Sequence, residues 1–124
     1  MLFCGTVDWD SMISDQVWAT QWGSASATAS VSLTEGTWAI HVCAAATNPD
    51  NGNTGIALTP TIGRLKNSLS GSLVSGNSSQ KCGGGLIMSA YEANVSSTTT
   101  FSVTAAKTSS TAMGMRVIVF AVKT

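Results

Sequence analysis

Charged residues are scarce in this chain of 124 residues. Only 10% of the residues are charged, and six basic side chains are balanced by six acidic ones, so the formal net charge is zero. Proteins that bind a phosphate backbone or an anionic membrane surface concentrate lysine and arginine in a patch or stripe. The composition offers no such stripe, and we therefore expect neither nucleic acid nor a membrane surface as a partner.

Long hydrophobic runs are also missing, although 44% of the residues are hydrophobic. The longest runs, such as VIVFAV at 117–122, are far shorter than the ~20 residues of a membrane-spanning helix. The opening MLFCGTVDWDSM has neither the basic start nor the long apolar stretch of a secretory signal. We predict a chain that is not inserted into a membrane and carries no export signal of its own.

Cysteine is sparse as well. Cys4, Cys43 and Cys82 leave at least one thiol unpaired, and no two of them have the C-x-x-C spacing that is typical of zinc or redox sites. We therefore expect free thiols and assembly in a reducing cytoplasm.

The residues that enzymes use are few. His41 is the single histidine, and no serine or cysteine stands in a nucleophile-elbow context. Asp8 and Asp10 flank Trp9 and could hold Ca²⁺ or act on a glycoside, but an exposed edge in a polar segment accounts for them too. We predict no enzymatic activity, no metal and no cofactor; the best residues of an enzyme would be Asp8, Asp10 and His41.

What the chain does contain is short stretches of alternating residues. SASATASVSL at 24–33 places serine and threonine on one side of a strand, with Ala25, Ala27, Ala29, Val31 and Leu33 on the other. Clusters of Gly, Asn and Ser separate such stretches at intervals typical of an all-β sandwich or barrel. We predict about eight strands in one domain, with possible short edge elements at 6–10. The predicted strands are 16–22, 24–33, 37–46, 55–64, 70–74, 86–93, 99–106 and 113–122.

Two of the predicted strands are apolar or small on both sides. In LTEGTWAIHVCAAA at 33–46, Trp38, Ile40 and Val42 alternate with Ala39, His41 and Cys43. In the last strand, Val117, Val119 and Ala121 alternate with Ile118, Phe120 and Val122. A two-layer domain of this size normally exposes one face of each sheet to water. A second apolar face on both strands therefore indicates a subunit contact.

Tryptophan is over-represented among the aromatic residues. Trp9, Trp18, Trp22 and Trp38 are four of only eight aromatics. Trp38 fits a core position. Trp9 and Trp22 stand beside polar residues and turns, where an exposed indole could stack on a sugar; packing or an interface also accounts for them.

Three stretches, EGTWAIHVCAAA, STTTFSVTAAKTS and MGMRVIVFAVKT, together resemble the tumour-necrosis-factor-like and complement-type jelly roll, which also forms trimeric tips of bacteriophage fibres and receptor-binding proteins. The resemblance is one of pattern over about residues 24–124. It implies an antiparallel β-sandwich with jelly-roll topology, whose inner sheet packs around a threefold axis. The residues that it places in the trimer interface are Ala39, His41, Cys43, Met88, Arg116, Ile118, Phe120 and Val122.

The resemblance also implies an organisation and a function. We expect an N-terminal segment at 1–23, used for attachment or as edge strands, followed by a jelly-roll domain at 24–124. The expected function is that of a noncatalytic phage virion protein, assembled in the host cytoplasm. Its homotrimer would lie at a fibre or tail tip, where it contacts other virion proteins and a host-surface glycan or protein. No receptor-binding residue can be named.

Two other functions stay open. A capsid decoration or cement protein would use the same trimer, with the tryptophan-bearing N-terminal segment as its anchor. A cellular carbohydrate-binding module would need no virion at all. For His41 we expect either an interface position, at which acid loosens the trimer, or a neutral core imidazole with a satisfied hydrogen bond.

Overall fold

Eight β-strands account for nearly all of the chain that the computed structural model describes, namely residues 16–48, 55–75, 82–108 and 114–124. The all-β fold and the number of strands are as predicted. The predicted edge elements at 6–10 lie outside the described residues. The strands are β1 (Gln16–Gly23), β2 (Ser26–Leu33), β3 (Gly36–Asn48), β4 (Ile56–Pro60), β5 (Arg64–Ser75), β6 (Cys82–Val95), β7 (Thr99–Lys107) and β8 (Gly114–Lys123).

The strands form two antiparallel sheets that pack as a β-sandwich. The large sheet has five strands in the order β1-β8-β3-β6-β5, and the small sheet has three in the order β2-β7-β4. The sandwich is therefore confirmed. The jelly-roll topology is not, since β5 pairs with β6 at the edge of the large sheet and the small sheet has no strand beyond β4. Within the described ranges no helix has the length and hydropathy needed to span a bilayer.

The hydrophobic core lies between the sheets and follows the predicted alternation. In β3, Trp38, Ile40 and Val42 are buried, and the indole Nε1 of Trp38 donates a hydrogen bond of 2.8 Å to the carbonyl oxygen of Thr34. That bond satisfies the polar atom of the largest core side chain, so its burial is not opposed by an unpaired donor. The other buried side chains of the central strands include Ala29, Val31, Leu33, Phe101, Val103, Ala105, Met115, Val117, Val119 and Ala121.

The predicted strand at 55–64 is wrong at its end. β4 stops at Pro60, residues 61–63 form a turn, and Arg64 already belongs to β5. Gly63 has a φ of +94°, a backbone conformation that side chains with a Cβ rarely adopt, so the chain reverses there. The strand predicted at 70–74 is correspondingly longer and begins at Arg64.

Ala25 was predicted to point into the core but is exposed. Ser24 and Ala25 form a bend between β1 in the large sheet and β2 in the small sheet. The alternation therefore starts only at Ser26, where β2 begins. The predicted boundary at residue 23 coincides with this crossing, and residues 16–23 form the edge strand β1 of the large sheet.

Replacement of Leu33 by alanine tests the importance of the core between the sheets. Leu33 has no exposed surface, so we expect Leu33→Ala to lower the free energy of unfolding by about 2–5 kcal/mol. Leu65→Ala, at a side chain that is 54% exposed, should cost less than about 1 kcal/mol. Equilibrium unfolding in urea, followed by tryptophan fluorescence, measures both. An equal loss of unfolding free energy in the two variants would contradict the described packing.

Candidate functional site: the outer face of the large sheet

The side chains of the large sheet that point away from the small sheet form what we call the outer face. Strand pairing arranges them in rows across the five strands, because residues in register lie side by side. The central row runs Trp18, Phe120, His41, Ala90, Asn67. The three other rows are Gln16, Val122, Ala39, Glu92, Arg64; Thr20, Ile118, Cys43, Met88, Leu69; and Trp22, Arg116, Ala45, Leu86, Gly71.

The structure brings all the residues of the predicted trimer interface onto this one face. Ala39 and Val122 are neighbours in one row, and His41 and Phe120 in the next. Arg116 lies at one end of the face, in the same row as Trp22. The third row contains Cys43, Met88 and Ile118. That these residues form a contact between subunits stays a prediction.

Large apolar side chains stand exposed on the outer face. Trp18 is 73% exposed, Leu69 70%, Met88 47% and Phe120 38%. Five strands about 4.8 Å apart and four rows about 6.8 Å apart give a face of roughly 600 Å². The apolar side chains cover only part of this area, since the end rows carry charged residues, but exposed apolar patches of about 300–600 Å² commonly mark an interaction site.

The central strands contribute Cys43, His41 and Phe120 to a shallow depression of about 390 Å³ in this face. Leu69 and Met88 complete its apolar wall, and Asn67 adds a polar group. Cys43 is a free thiol and is half-buried. The depression can therefore accept an apolar side chain with only a few polar contacts around it.

Sequence reasoning missed several members of the outer face. Trp18 and Trp22 alternate with Thr20 in β1, and that period of two is a signal that could have assigned all three to one face. Leu69 could not be found in this way, because an irregularity between Leu65 and Asn67 shifts the register of β5 against β6.

His41 is exposed in the middle of β3, between Phe120 of β8 and Ala90 of β6. The alternative of a core imidazole is therefore wrong: the odd-numbered residues of this strand point outward, while Ile40 and Val42 fill the core. Asp8 and Asp10, the other residues considered for an enzyme, lie outside the described residues. Among the residues that the structure does describe, no three histidine, cysteine, aspartate or glutamate side chains could hold a metal ion together.

Apart from Lys66, which lies close to His41, the charged side chains of the outer face lie at its ends. At one end the Arg116 guanidinium lies over the indole of Trp22, 4.8 Å from the ring centroid, and its Nε donates to Thr20 Oγ1 at 3.3 Å. At the other end Arg64 and Glu92 form an exposed ion pair of 3.6 Å, which contributes little to stability in water. The two middle rows carry no aspartate, glutamate, lysine or arginine.

The opposite surface of the sandwich has a different chemistry. There the hydroxyls of Thr28 and Thr104 share a hydrogen bond of 2.8 Å across β2 and β7, and those of Ser30 and Ser102 one of 2.7 Å. Such a face is hydrated and satisfies its own polar groups. The molecule is therefore two-sided, with an uncharged hydroxyl surface on the small sheet and an apolar surface on the large one.

Comparison of the chain with models of known protein families gives no match, and neither does comparison with curated protein sequences.

Proposed function

We propose that the chain is a noncatalytic protein that assembles into a homotrimer through the outer face of the large sheet. We propose further that this trimer is a phage virion protein, located at a fibre or tail tip, and that it binds a host-surface receptor. The observation that carries the proposal is the exposure of Trp18, Leu69, Met88 and Phe120 on a single face. A second copy of the chain would cover these side chains and remove their apolar surface from water.

The size of the outer face limits each contact in such an assembly. In a ring of three copies each subunit uses two parts of the face at once, one toward each neighbour. A face of roughly 600 Å² therefore gives each contact about 300 Å² per partner, less than the ~800 Å² of a standard specific interface, so the long side chains at its margins must extend the contact.

The distribution of chemistry across the face also supports a subunit contact. Protein interfaces have an apolar centre, in which aromatic residues and methionine are enriched, and a polar rim. Here Phe120 and Met88 lie in the uncharged middle rows, whereas Arg116 and the Arg64–Glu92 pair lie at the ends. Charges at the rim stay in water and cost no desolvation when the centre is covered.

The virion setting rests on the resemblance of the strand pattern to jelly-roll tips of phage fibres. It is supported by the hydroxyl surface of the small sheet, which would form the outside of the trimer and remain hydrated. A second candidate is a capsid decoration protein. Trp18 and Trp22, which are 73% and 67% exposed on the edge strand β1, would then be anchors on the capsid.

A charge in the centre of the outer face tests the assembly. Phe120→Glu would place a carboxylate in each contact without a partner, and we expect association to weaken at least about a hundredfold. Ser32→Glu, at an exposed position of the small sheet, is the matched control and should leave the trimer intact. Light scattering across a concentration series measures the mass of both variants. A wild-type chain that is monomeric at micromolar concentration would refute the proposal.

The location in the virion is tested by mixing the assembled protein with undecorated capsids and, separately, with host cells. Sedimentation with cells alone is expected for a receptor-binding tip, and sedimentation with capsids alone for a decoration protein. Binding to neither, while a glycan array gives clear signals, would favour a cellular carbohydrate-binding module instead.

His41 makes the assembly sensitive to acid under this proposal. Histidine side chains gain a positive charge between pH 8 and 5, and copies of His41 in the middle of the face would then repel one another. Among the described side chains, Lys66 and Glu92 lie close to His41; the lysine adds to the repulsion, and the Glu92 carboxylate is shared with Arg64.

We expect the trimer to weaken at least about tenfold between pH 8 and pH 5. Light scattering at pH 8 and pH 5 measures the change. His41→Gln keeps a polar side chain of similar length without a titratable group and should abolish the dependence on pH. An equal response of the two proteins to acid would rule out the role of His41.

A further inference from the structure

Trp22, Arg116 and Thr20 form a preorganised cluster at one end of the outer face. Trp22 is 67% exposed although the Arg116 guanidinium lies over its ring at 4.8 Å, so the indole face away from the guanidinium is open. Thr20 Oγ1 accepts a hydrogen bond from Arg116 Nε, which fixes the side chain from a second direction. Among the described residues, no side chain or carbonyl oxygen accepts a hydrogen bond from the Nη atoms of Arg116.

The two Nη atoms of Arg116 have no acceptor among the described residues, and a guanidinium is the side-chain group best suited to a carboxylate, which it binds through two parallel hydrogen bonds. An open indole face is apolar and flat, as the C–H face of a sugar ring is. From the adjacency of these groups we infer that Trp22, Arg116 and Thr20 bind an acidic oligosaccharide, with a carboxylate on Arg116 and a sugar ring against Trp22.

The geometry also sets the minimum size of the ligand. The guanidinium carbon lies 4.8 Å from the indole centroid on one side, and a sugar ring stacked on the opposite face lies roughly 4 Å away on the other, so the two contacts are about 9 Å apart and a ligand must pass round the edge of the indole to make both. A single sugar ring does not span that distance, whereas two linked rings do. A disaccharide that contains one uronic acid is therefore the smallest ligand that reaches both groups.

The cluster stays accessible in the assembly for an electrostatic reason. Copies of Arg116 brought together near a threefold axis would repel one another in a poorly solvated centre. The row of Trp22 and Arg116 lies outside the two middle rows, and beyond it the face continues only with a row that contains Gly114, Thr47 and Gly84, so the cluster can remain at the rim while the middle rows are covered. The inference deepens the proposed function, on which it rests, by giving the receptor-binding protein an acidic glycan as its ligand.

The test is a titration of the full chain with cellobiouronic acid and with cellobiose, two disaccharides that differ only in the carboxylate. Nuclear magnetic resonance of the indole N–H signals reports binding at each tryptophan separately. We expect the acidic disaccharide to shift the Trp22 signal and to bind at least about tenfold more tightly than cellobiose. Glucuronic acid alone should bind more weakly than the acidic disaccharide.

Four variants assign the contacts. Arg116→Gln should weaken binding of the acidic disaccharide at least about tenfold, while Arg64→Gln, the same change in the other arginine, should leave that binding unchanged. Trp22→Leu should lose the stacking of the sugar ring on residue 22, whereas Trp22→Phe should largely keep it. Equal binding of both disaccharides, equal effects of the two arginine changes, or no shift of Trp22 at about 10 mM sugar would overturn the inference.

Light scattering on the same samples separates this inference from the proposed function. A trimer without affinity for the acidic disaccharide refutes the binding site and leaves the assembly in place. A monomer that binds the acidic disaccharide keeps the site and refutes the assembly.

Discussion

The pairing of β3 with β6 on one side and β8 on the other is the constraint on which the other features depend. β3 is hydrogen-bonded along almost its whole length to both neighbours, so its register is fixed twice. Successive residues of a strand point to opposite faces, and a slip of one residue would exchange the faces. One register therefore places Trp38 in the core and His41 on the outside at the same time, which ties the packing of the sandwich to the make-up of the outer face.

The two faces of the large sheet differ in what covers them, and the outer face is apolar mainly toward its middle. The inner face is covered by β2, β7 and β4, and its residues on the central strands β3 and β8 are almost completely buried. Among the described residues, no layer lies above Phe120 and Met88 on the outer face. Burial of apolar surface is favourable wherever the partner comes from. The same driving force that closes the sandwich therefore acts between copies of the chain, and we propose that it does so here.

Local alternation was sufficient to predict most of the strands and the core. In β2 and β7 the apolar residues recur at every second position, which is the direct signature of a strand that packs on one side. β5 was predicted poorly, because its serine-rich and glycine-containing sequence has no strict alternation and an irregularity shifts its register. The contact between Trp22 and Arg116 was beyond local reasoning, since it depends on the pairing of the first described strand with the last.

The difference in strand number between the sheets has a consequence for the dynamics of the fold. Among the described residues, β5 is hydrogen-bonded on one side only and the small sheet ends at β4, so the inner side of β5 has thin cover: Leu65 is half exposed there, although it pairs with the buried Tyr91. Segments with few buried apolar contacts open at a lower free energy than the whole domain. We therefore expect amide hydrogens of β5 to exchange with solvent by local opening, and those of β3, held from both sides, to exchange only when the sandwich unfolds.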